Sequence, residues 1–431
     1  MQCARCWLPS GSRAKINPMT SAADLRVLFS TRFIRLFCYG LVAVILALYL
    51  VDVGLGERQV GLLFSLALAG DAGISLWLTT SADSVGRKRI LIIGALLMLV
   101  SGLVFAMSKS FAILLLAAVV GVISPNGKEI GPFLSVEQAA LSQLVRDEDR
   151  TRLFAWYNLV GSMATALGAL AGGWMVHLLE LRGVPAVDAF RTLLYAYAVG
   201  GAVLLLLFLG LSQQVEASAK AGQGELRRIL GLHRSRGMVL RLSALFALDS
   251  FGGGLIVQSM VAYWFHIKFG LDAGALGSIF FAVNLLAALS ALVAAWLARK
   301  IGLLNTMILT HLPSNVFLML VPYMPTLPLA VAMLLLRFST SQMDVPTRQS
   351  YTMAVVEPDE RSAASGVTTI ARSAGAALSP TLTGIFLSVP ALMNVPFLLA
   401  GGVKLVYDAL LYYGFRKIRP PEESGGRALV A

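Results

Sequence analysis

The chain has 431 residues, of which 57% are hydrophobic and only 13% are charged. A soluble protein carries about a quarter charged residues, and its core could not bury so much apolar sequence. The composition therefore excludes a soluble globular protein and indicates a membrane protein with many spans. The net charge of +12 does not indicate nucleic-acid binding, because the basic residues lie mostly in the breaks between apolar segments.

Twelve apolar segments follow one another along the chain, each near the roughly 20 residues that a helix needs to cross a bilayer. In chain order, the predicted helices cover about 34–54, 60–79, 90–108, 111–144, 152–176, 191–211, 239–267, 275–297, 304–323, 327–356, 366–388 and 394–414. The predicted fold class is an all-α membrane protein with twelve transmembrane helices in two pseudo-symmetric six-helix bundles.

The longest polar stretch divides these helices six and six. We predict a cytoplasmic N-terminal segment, a first bundle, a cytoplasmic linker, a second bundle and a cytoplasmic tail, at residues 1–33, 34–211, 212–238, 239–414 and 415–431. Within the linker, GELRRILGLHRSR either forms an amphipathic helix on the membrane surface or is plain connecting chain.

The N-terminal segment has no short apolar run ending in a small-residue cleavage site before Arg32, so we expect the first span to anchor the protein. Cys3 and Cys6 form a CxxC without a second pair or a nearby histidine, and we predict neither a metal nor a cofactor. Translation starting at Met19 is a hypothesis that leaves open whether residues 1–18 belong to the mature protein.

The orientation follows from Lys and Arg, which concentrate on the cytoplasmic side of membrane spans. With both termini inside, 25 of the 35 basic residues fall on cytoplasmic segments and 5 on outside segments. We therefore expect an integral protein of the cell (inner) membrane with cytoplasmic N- and C-termini. A monomer is sufficient for this architecture.

The two halves of the chain are related by a weak internal repeat. A displacement of 216 residues aligns Gly61 with Gly277, and a displacement of 211 residues aligns Gly173 with Gly384. Parallel repeats of this kind are typical of secondary transporters, whose substrate site lies near mid-membrane between the halves.

The stretch TTSADSVGRKRI between the second and third spans contains Asp83, Gly86, Arg87 and Lys88. It resembles the loop motif of the major facilitator superfamily, Gly-x-x-x-Asp-Arg/Lys-x-Gly-Arg-Arg/Lys, with Thr79 in place of the first glycine. The resemblance implies a twelve-helix secondary transporter in which these residues help to latch a cytoplasmic gate. A topology signal alone is the alternative interpretation.

Eleven ionisable residues fall within the predicted spans: Asp71, Lys128, Glu129, Glu137, Asp249, Arg337, Asp344, Arg348, Arg372, Lys404 and Asp408. A charge at the bilayer centre costs about 2.5–3.5 kcal/mol on insertion scales, so such groups face one another or a wet cavity. Lys404 and Asp408 are four residues apart, and we predict a structural ion pair between them.

The fourth and tenth spans are both charged and interrupted. SPNGKEIGPFLSVEQ begins at Ser124 and DVPTRQ at Asp344, and their prolines and glycines break the helix. Interrupted, charged helices at matching places in two halves indicate a transport site. The predicted substrate-cavity residues are Asn126, Lys128, Gln138, Gln258, Arg337, Gln342 and Arg348. The bases among them favour a substrate with a negative or acceptor group.

Proton coupling needs carboxylates that can take up and release a proton as the cavity opens to each side. The candidates are Asp71, Glu129, Glu137, Asp249 and Asp344. Asp71 and Asp249 are the first choices, because neither has a base nearby in sequence.

The leading functional hypothesis is proton-coupled efflux of a small molecule by alternating access. It rests partly on GALAGG at 168–173, which resembles the end of an antiporter motif of the same superfamily; close helix packing by small residues is the simpler account. The alternative function is import or exchange of an anionic or zwitterionic metabolite. The chain lacks the usual nucleophile and metal-hydrolase motifs, so we do not expect an enzyme. The expected partners are the substrate, protons and the bilayer, without nucleic acid.

Overall fold

The computed structural model describes residues 18–145, 147–216, 232–357, 359–416 and 418. The helices of the first half are α1 (Pro18–Ala43), α2 (Leu46–Asp52), α3 (Glu57–Val85), α4 (Arg87–Met107), α5 (Phe111–Val120), α6 (Phe133–Leu144), α7 (Asp147–Leu181) and α8 (Ala186–Leu209). Those of the second half are α9 (Arg236–Gly254), α10 (Gln258–Phe269), α11 (Ala273–Ile301), α12 (Leu303–Leu320), α13 (Leu327–Thr340), α14 (Asp344–Ala354), α15 (Arg361–Leu378), α16 (Pro380–Leu387) and α17 (Val395–Phe415).

Within the described ranges, eight helical segments are long and apolar enough to cross a membrane, and α1 with α2, bent by 47° at their junction, makes up to nine. The predicted fourth, seventh, tenth and eleventh spans each consist of two shorter helices, α5/α6, α9/α10, α13/α14 and α15/α16. The twelve predicted spans are thus all helical, whole or in two pieces.

The first span begins earlier than predicted, since α1 starts at Pro18 rather than near residue 34. The predicted span left Arg32 in the cytoplasmic segment, and the count of basic residues assigned Arg35 to the cytoplasmic side as well. Both side chains are buried, at 5% and 0% exposure, and glutamates from another part of the fold neutralise them. The helix therefore continues through both arginines.

Helix breaks recur at matching places in the two halves. A displacement of 211 residues carries the break between α1 and α2 onto the break between α9 and α10, and the break between α5 and α6 onto that between α13 and α14. In the α5–α6 connection, Gly127 and Gly131 have φ values of 63° and 79°. Side chains with a Cβ rarely adopt this left-handed region, which explains the glycines there.

Each half packs internally, with α1 against α7 and α4 against α8 in the first half, and α9 against α15 and α12 against α17 in the second. The halves meet through α7 against α11 and through α3 against α15 and α16. One apolar core, from Leu28 in α1 to Ala400 in α17, extends through both halves.

Two pairs of glycines let the halves approach closely at one end of the molecule. A Cβ on Gly61 would lie 2.9 Å from the Cα of Gly384, and a Cβ on Gly173 would lie 2.6 Å from the Cα of Gly277. These are the four glycines that the sequence repeat aligns. At this end, Glu57 also accepts a hydrogen bond of 2.8 Å from the Tyr263 hydroxyl.

Gly173→Ala is expected to open this end, because the added methyl group would lie 2.3 Å from the carbonyl oxygen of Ala273. Spin labels on the exposed loops at Arg182 and Thr326 should then show longer inter-half distances by double electron–electron resonance. Gly402→Ala is the control, because no atom lies within 4 Å of the added carbon. Identical distance distributions in the two variants would contradict this account of the contact.

A buried carboxylate binds the backbone just before α9, where the second half begins. Glu360, between α14 and α15, is 0% exposed and accepts hydrogen bonds from the backbone N–H groups of His233, Arg234 and Ser235 at 2.7–2.8 Å. Burial raises the pKa of this carboxyl group, but the backbone donors outweigh burial and lower the pKa from 4.5 to about 2.

This depressed pKa predicts a pH dependence of stability. The contribution of Glu360 is fully present above pH 4.5, its ordinary pKa, and is lost as pH falls toward about 2. The purified wild-type protein should unfold at a higher temperature than Glu360→Gln at pH 6. The difference between the two unfolding temperatures should become smaller toward pH 3. A difference that stays constant over this range would show that the carboxylate charge is not what stabilises the contact.

Candidate functional site

A cavity of about 260 Å³, here called the central cavity, lies among α9–α15, α17 and the α5–α6 connection. Its walls include eight of the predicted site residues: Asn126, Lys128, Asp249, Gln258, Arg337, Gln342, Asp344 and Arg348. Arg372 and Lys404, two more of the intramembrane charges, also line it.

The α5–α6 connection reaches the central cavity by binding the first turn of α10. The Asn126 side chain accepts a hydrogen bond of 3.0 Å from the backbone N–H of Gln258. The carbonyl oxygen of Pro125 accepts one of 3.0 Å from the N–H of Ser259. The first N–H groups of a helix have no partner within the helix. The interrupted segment of the first half therefore caps a helix of the second half.

Asp249 of α9 is the centre of an ion-pair network in the cavity wall. Its carboxylate lies 2.5 Å from the Lys404 ammonium and 2.9 Å from the Arg348 guanidinium. Arg348 also lies 3.0 Å from Asp344 on the same helix, α14. The expectation that Asp249 is isolated from bases is therefore wrong, because the bases come from α14 and α17, which lie far along the chain.

The predicted ion pair between Lys404 and Asp408 is also wrong. Lys404 extends to Asp249, whereas Asp408 lies 2.8 Å from Nδ1 of His311 and accepts a hydrogen bond of 3.0 Å from Asn315. A spacing of four residues places two side chains on one helix face, but here each has a closer partner on another helix.

Sequence reasoning missed His311 and Asn315, although both are polar residues four apart on an apolar helix, α12. His311 is 4% exposed and Asn315 is 0% exposed. Nε2 of His311 points toward Asp249 at 3.6 Å, and the ring also lines the central cavity. The polar pair in the stretch HLPSN was the available signal.

Three bases of the central cavity have no carboxylate within 4.0 Å in the described part of the chain: Lys128, Arg337 and Arg372. Nε of Arg337 and Nε of Arg372 are buried and have no hydrogen-bond acceptor among the described residues. The Arg337 guanidinium lies over the Phe338 ring, 4.6 Å from its centroid. The cavity therefore offers donors that nothing in the described structure satisfies.

A second charge network lies inside the first half. Arg35 of α1 lies 2.8 Å from Glu129 and 2.7 Å from Glu137. Arg32 also pairs with Glu129, and the Tyr157 hydroxyl donates to Glu137. Glu129 and Glu137, both predicted proton carriers, are thus held by fixed cations.

A second cavity, here called the side cavity, has a volume of about 810 Å³ and lies between α3, α6 and α15. Asp71, Glu129 and Gln138 line it, so Gln138 lies away from the central cavity. Asp71 accepts hydrogen bonds from the N–H of Gly131 at 2.6 Å and from Ser75 at 3.0 Å. No basic group of the described residues lies within 4.0 Å of Asp71.

The predicted gate motif, Asp83, Gly86, Arg87 and Lys88, lies where α3 ends and α4 begins. Gly86 is the residue before the helix and has φ 107°. Glu216 accepts hydrogen bonds from the N–H groups of Arg87 and Lys88 at 2.7 and 3.2 Å, and the Lys88 ammonium binds the carbonyl oxygen of Leu209, at the end of α8. The side chain of Asp83 lies outside the described residues. A gating role of this motif stays a prediction.

Two solved structures share this fold. The nucleoside transporter NupG matches with a TM-score of 0.72 and 16% identity, over 91% of this chain and 99% of that chain. A bacterial homolog of the human lysosomal transporter Spinster, in an inward-facing conformation, matches with a TM-score of 0.71 and 16% identity, over 92% and 97%. These likenesses confirm the all-α fold class with twelve spans in two bundles.

Sequence relatives support the same assignment. The membrane protein YJR124C of Saccharomyces cerevisiae is 31% identical over 420 residues, which cover 91% of this chain and 94% of that protein. The quinolone resistance protein NorA of Staphylococcus aureus is 28% identical over 152 residues, 35% of this chain and 38% of that protein. The sequence profile of the Major Facilitator Superfamily matches residues 28–380 and again 268–430. The chain therefore belongs to the major facilitator superfamily, whose members are membrane transporters and not enzymes.

Proposed function

We propose that this transporter carries a small organic anion through the central cavity by alternating access, coupled to protons. The observation that carries the proposal is the charge of the cavity wall. Five bases line the cavity, Lys128, Arg337, Arg348, Arg372 and Lys404, against two carboxylates, Asp249 and Asp344.

The excess positive charge lies where a substrate would bind. Arg348 and Lys404 are paired with carboxylates, but Lys128, Arg337 and Arg372 are not. Unpaired charges inside a membrane protein are costly and mark substrate pathways. An anionic substrate group would satisfy the guanidinium donors through charge-assisted hydrogen bonds.

The rest of the wall limits the substrate to a small molecule with an apolar part. Phe280, Phe338 and Phe397 line the same cavity, whose volume is about 260 Å³. Aromatic side chains in a ligand pocket bind the apolar part of a ligand, and the polar groups fix its orientation. A small aromatic acid fits this combination of charge, size and apolar surface.

Asp71 is the carboxylate best suited to carry a proton among those predicted from the sequence. Glu129, Glu137, Asp249 and Asp344 each lie within 3.0 Å of an arginine or lysine. Asp71 has hydrogen-bond donors but no cation as partner in the described structure, and it lines a cavity. It can take up a proton without breaking an ion pair.

Proton-driven export is a second candidate function, and the partial similarity to the quinolone resistance protein NorA favours it. The proposal retains cytoplasmic termini, as the distribution of Lys and Arg predicts, and a monomer as the working unit. Cysteine labelling of intact cells at Arg182, on a predicted outside loop, tests this orientation.

Transport in proteoliposomes tests the proposed function. Benzenesulfonate and phenyltrimethylammonium carry fixed, opposite charges on the same ring, and neither crosses a bilayer unaided. Counterflow of labelled benzenesulfonate is expected, together with dye-reported proton movement that Asp71→Asn lowers. A panel of sulfonates and phosphonates extends the search. Transport of the ammonium compound without any anion would overturn the proposal.

The binding residues are tested in the same assay. A hydrogen bond to a charged group contributes about 1.5–3 kcal/mol, so Arg337→Gln or Arg372→Gln should weaken the apparent affinity for benzenesulfonate about tenfold or more. Arg182→Gln, on an exposed loop outside the cavity, is the matched control. Equal affinities in all three variants would show that the anion binds elsewhere.

A further inference from the structure

His311 belongs to a set of contacting ionisable groups in the wall of the central cavity. The set contains three carboxylates, Asp249, Asp344 and Asp408, and two permanent cations, Arg348 and Lys404. Adjacent members lie 2.5–3.6 Å apart, and His311 stands between two of the carboxylates, 2.8 Å from Asp408 and 3.6 Å from Asp249.

Counted over the groups in direct contact, the charges of this set balance only when the imidazole is protonated. Lys128, Arg337 and Arg372 line the same cavity but contact none of the carboxylates of the set. With neutral His311, three negative charges face two positive charges. A proton on the ring brings the sum to zero. Nδ1 then donates to Asp408, and the charged N–H at Nε2 faces Asp249 at 3.6 Å. The other groups that face the ring are Asn315 and the Tyr407 ring at 5.8 Å, and Arg337 lines the same cavity.

We propose that His311 is a second proton-binding group, besides Asp71, and that its proton is coupled to the bound anion. The inference rests on the proposed function and adds the sign of the coupling. An anion in the cavity attracts Arg348 and Lys404 and thereby weakens their contacts with Asp249. A proton on His311 restores a donor to Asp249 and replaces the positive charge that the anion has taken up.

Anion and proton therefore bind together rather than in competition. Linkage requires that if the anion favours the proton, the proton favours the anion by the same factor. Two ligands that stabilise each other's binding cross the membrane in the same direction. The geometry thus favours symport of an anion with a proton over exchange of one for the other.

The first test needs no substrate. Nitrogen-15 NMR of protein labelled at histidine, in nanodiscs, reports whether one or both ring nitrogens carry a proton. The signal that is missing from His311→Gln belongs to His311. The expected result is that both ring nitrogens of His311 carry a proton at pH 5.5 and that one of them does at pH 8. A ring that keeps the same protonation over this range overturns the proposal, whatever the protein transports.

The second test measures the coupling with benzenesulfonate, whose own charge is constant. Its half-saturation concentration in counterflow should rise about tenfold from pH 6 to pH 8 in wild type and stay constant in His311→Gln. His266→Gln, which alters a histidine that does not line the central cavity, should keep the wild-type profile. A profile that is flat in wild type, or unchanged in His311→Gln, overturns the coupling role.

The two tests separate the inference from the proposed function. Wild-type protein that moves no anion contradicts the proposed function, and the NMR result then decides the inference alone. A structural role of His311 would lower stability in His311→Gln equally at both pH values, but it would not remove a pH dependence of affinity.

Discussion

Arg35→Gln is expected to destabilise the protein strongly, by about 3–5 kcal/mol, because it leaves a buried glutamate without its cation. Arg35 and Glu137 are both 0% exposed, and three hydrogen bonds of 2.7–2.8 Å join the guanidinium to Glu129 and Glu137. Thermal unfolding of the detergent-solubilised protein measures the loss. The control is Arg26→Gln, an exposed arginine on the same helix, and it should unfold like wild type.

The double variant Arg35→Gln/Glu137→Gln isolates the physical cause. It removes the charge from both partners, so no glutamate is left unpaired at Glu137, while Glu129 keeps Arg32. Much of the lost stability should return. If the double variant is less stable than either single variant, packing of the arginine, and not charge pairing, holds α1 against α6.

Asp249→Asn is expected to strengthen anion binding and to abolish transport. The change removes the carboxylate that Lys404 and Arg348 share, so Lys404 is free to bind an anion while Arg348 keeps Asp344. The affinity for benzenesulfonate should increase about tenfold, in line with about 1.5–3 kcal/mol for a charge-assisted bond. Transport should be lost, because Lys404 then has no carboxylate partner that competes with the anion for its release.

Isothermal titration calorimetry and counterflow measure these two effects on the same preparation. Asp188→Asn is the matched control, since Asp188 pairs with Arg191 at an exposed position outside the central cavity. An Asp249→Asn protein that binds benzenesulfonate more weakly than wild type would show that the network positions the bases for the anion. The carboxylate would then not be the anion's competitor.

Regular features of the fold were predictable from the sequence because they depend on local pattern. Apolar runs predicted the spans, and the prolines and glycines after Ser124 and near Asp344 predicted the interruptions. The pair Asp344–Arg348 follows from a spacing of four residues, and the two groups lie 3.0 Å apart. The aligned glycines, such as Gly61 and Gly277, lie at the contacts between the halves.

The partners of the buried charges were not predictable in this way. Lys404 reaches Asp249, 155 residues earlier, and Arg35 reaches Glu137, 102 residues later. Such pairs depend on which helices become neighbours, and helix spacing within one span carries no information about that. Local reasoning therefore chose Asp408 for Lys404 and placed Arg35 in the cytoplasm.

The cap that Asn126 provides makes the two halves unequal despite their repeat. At the break between α9 and α10, the first N–H groups of α10 bind Asn126 and Pro125 of the other half. At the corresponding break between α1 and α2, Ile45 and Tyr49 donate within their own span. The two halves thus contribute differently to the central cavity. The first half supplies the cap of α10 and Lys128, and the second half supplies most of the cavity wall. Two copies of the first half would not rebuild this protein, and neither would two copies of the second.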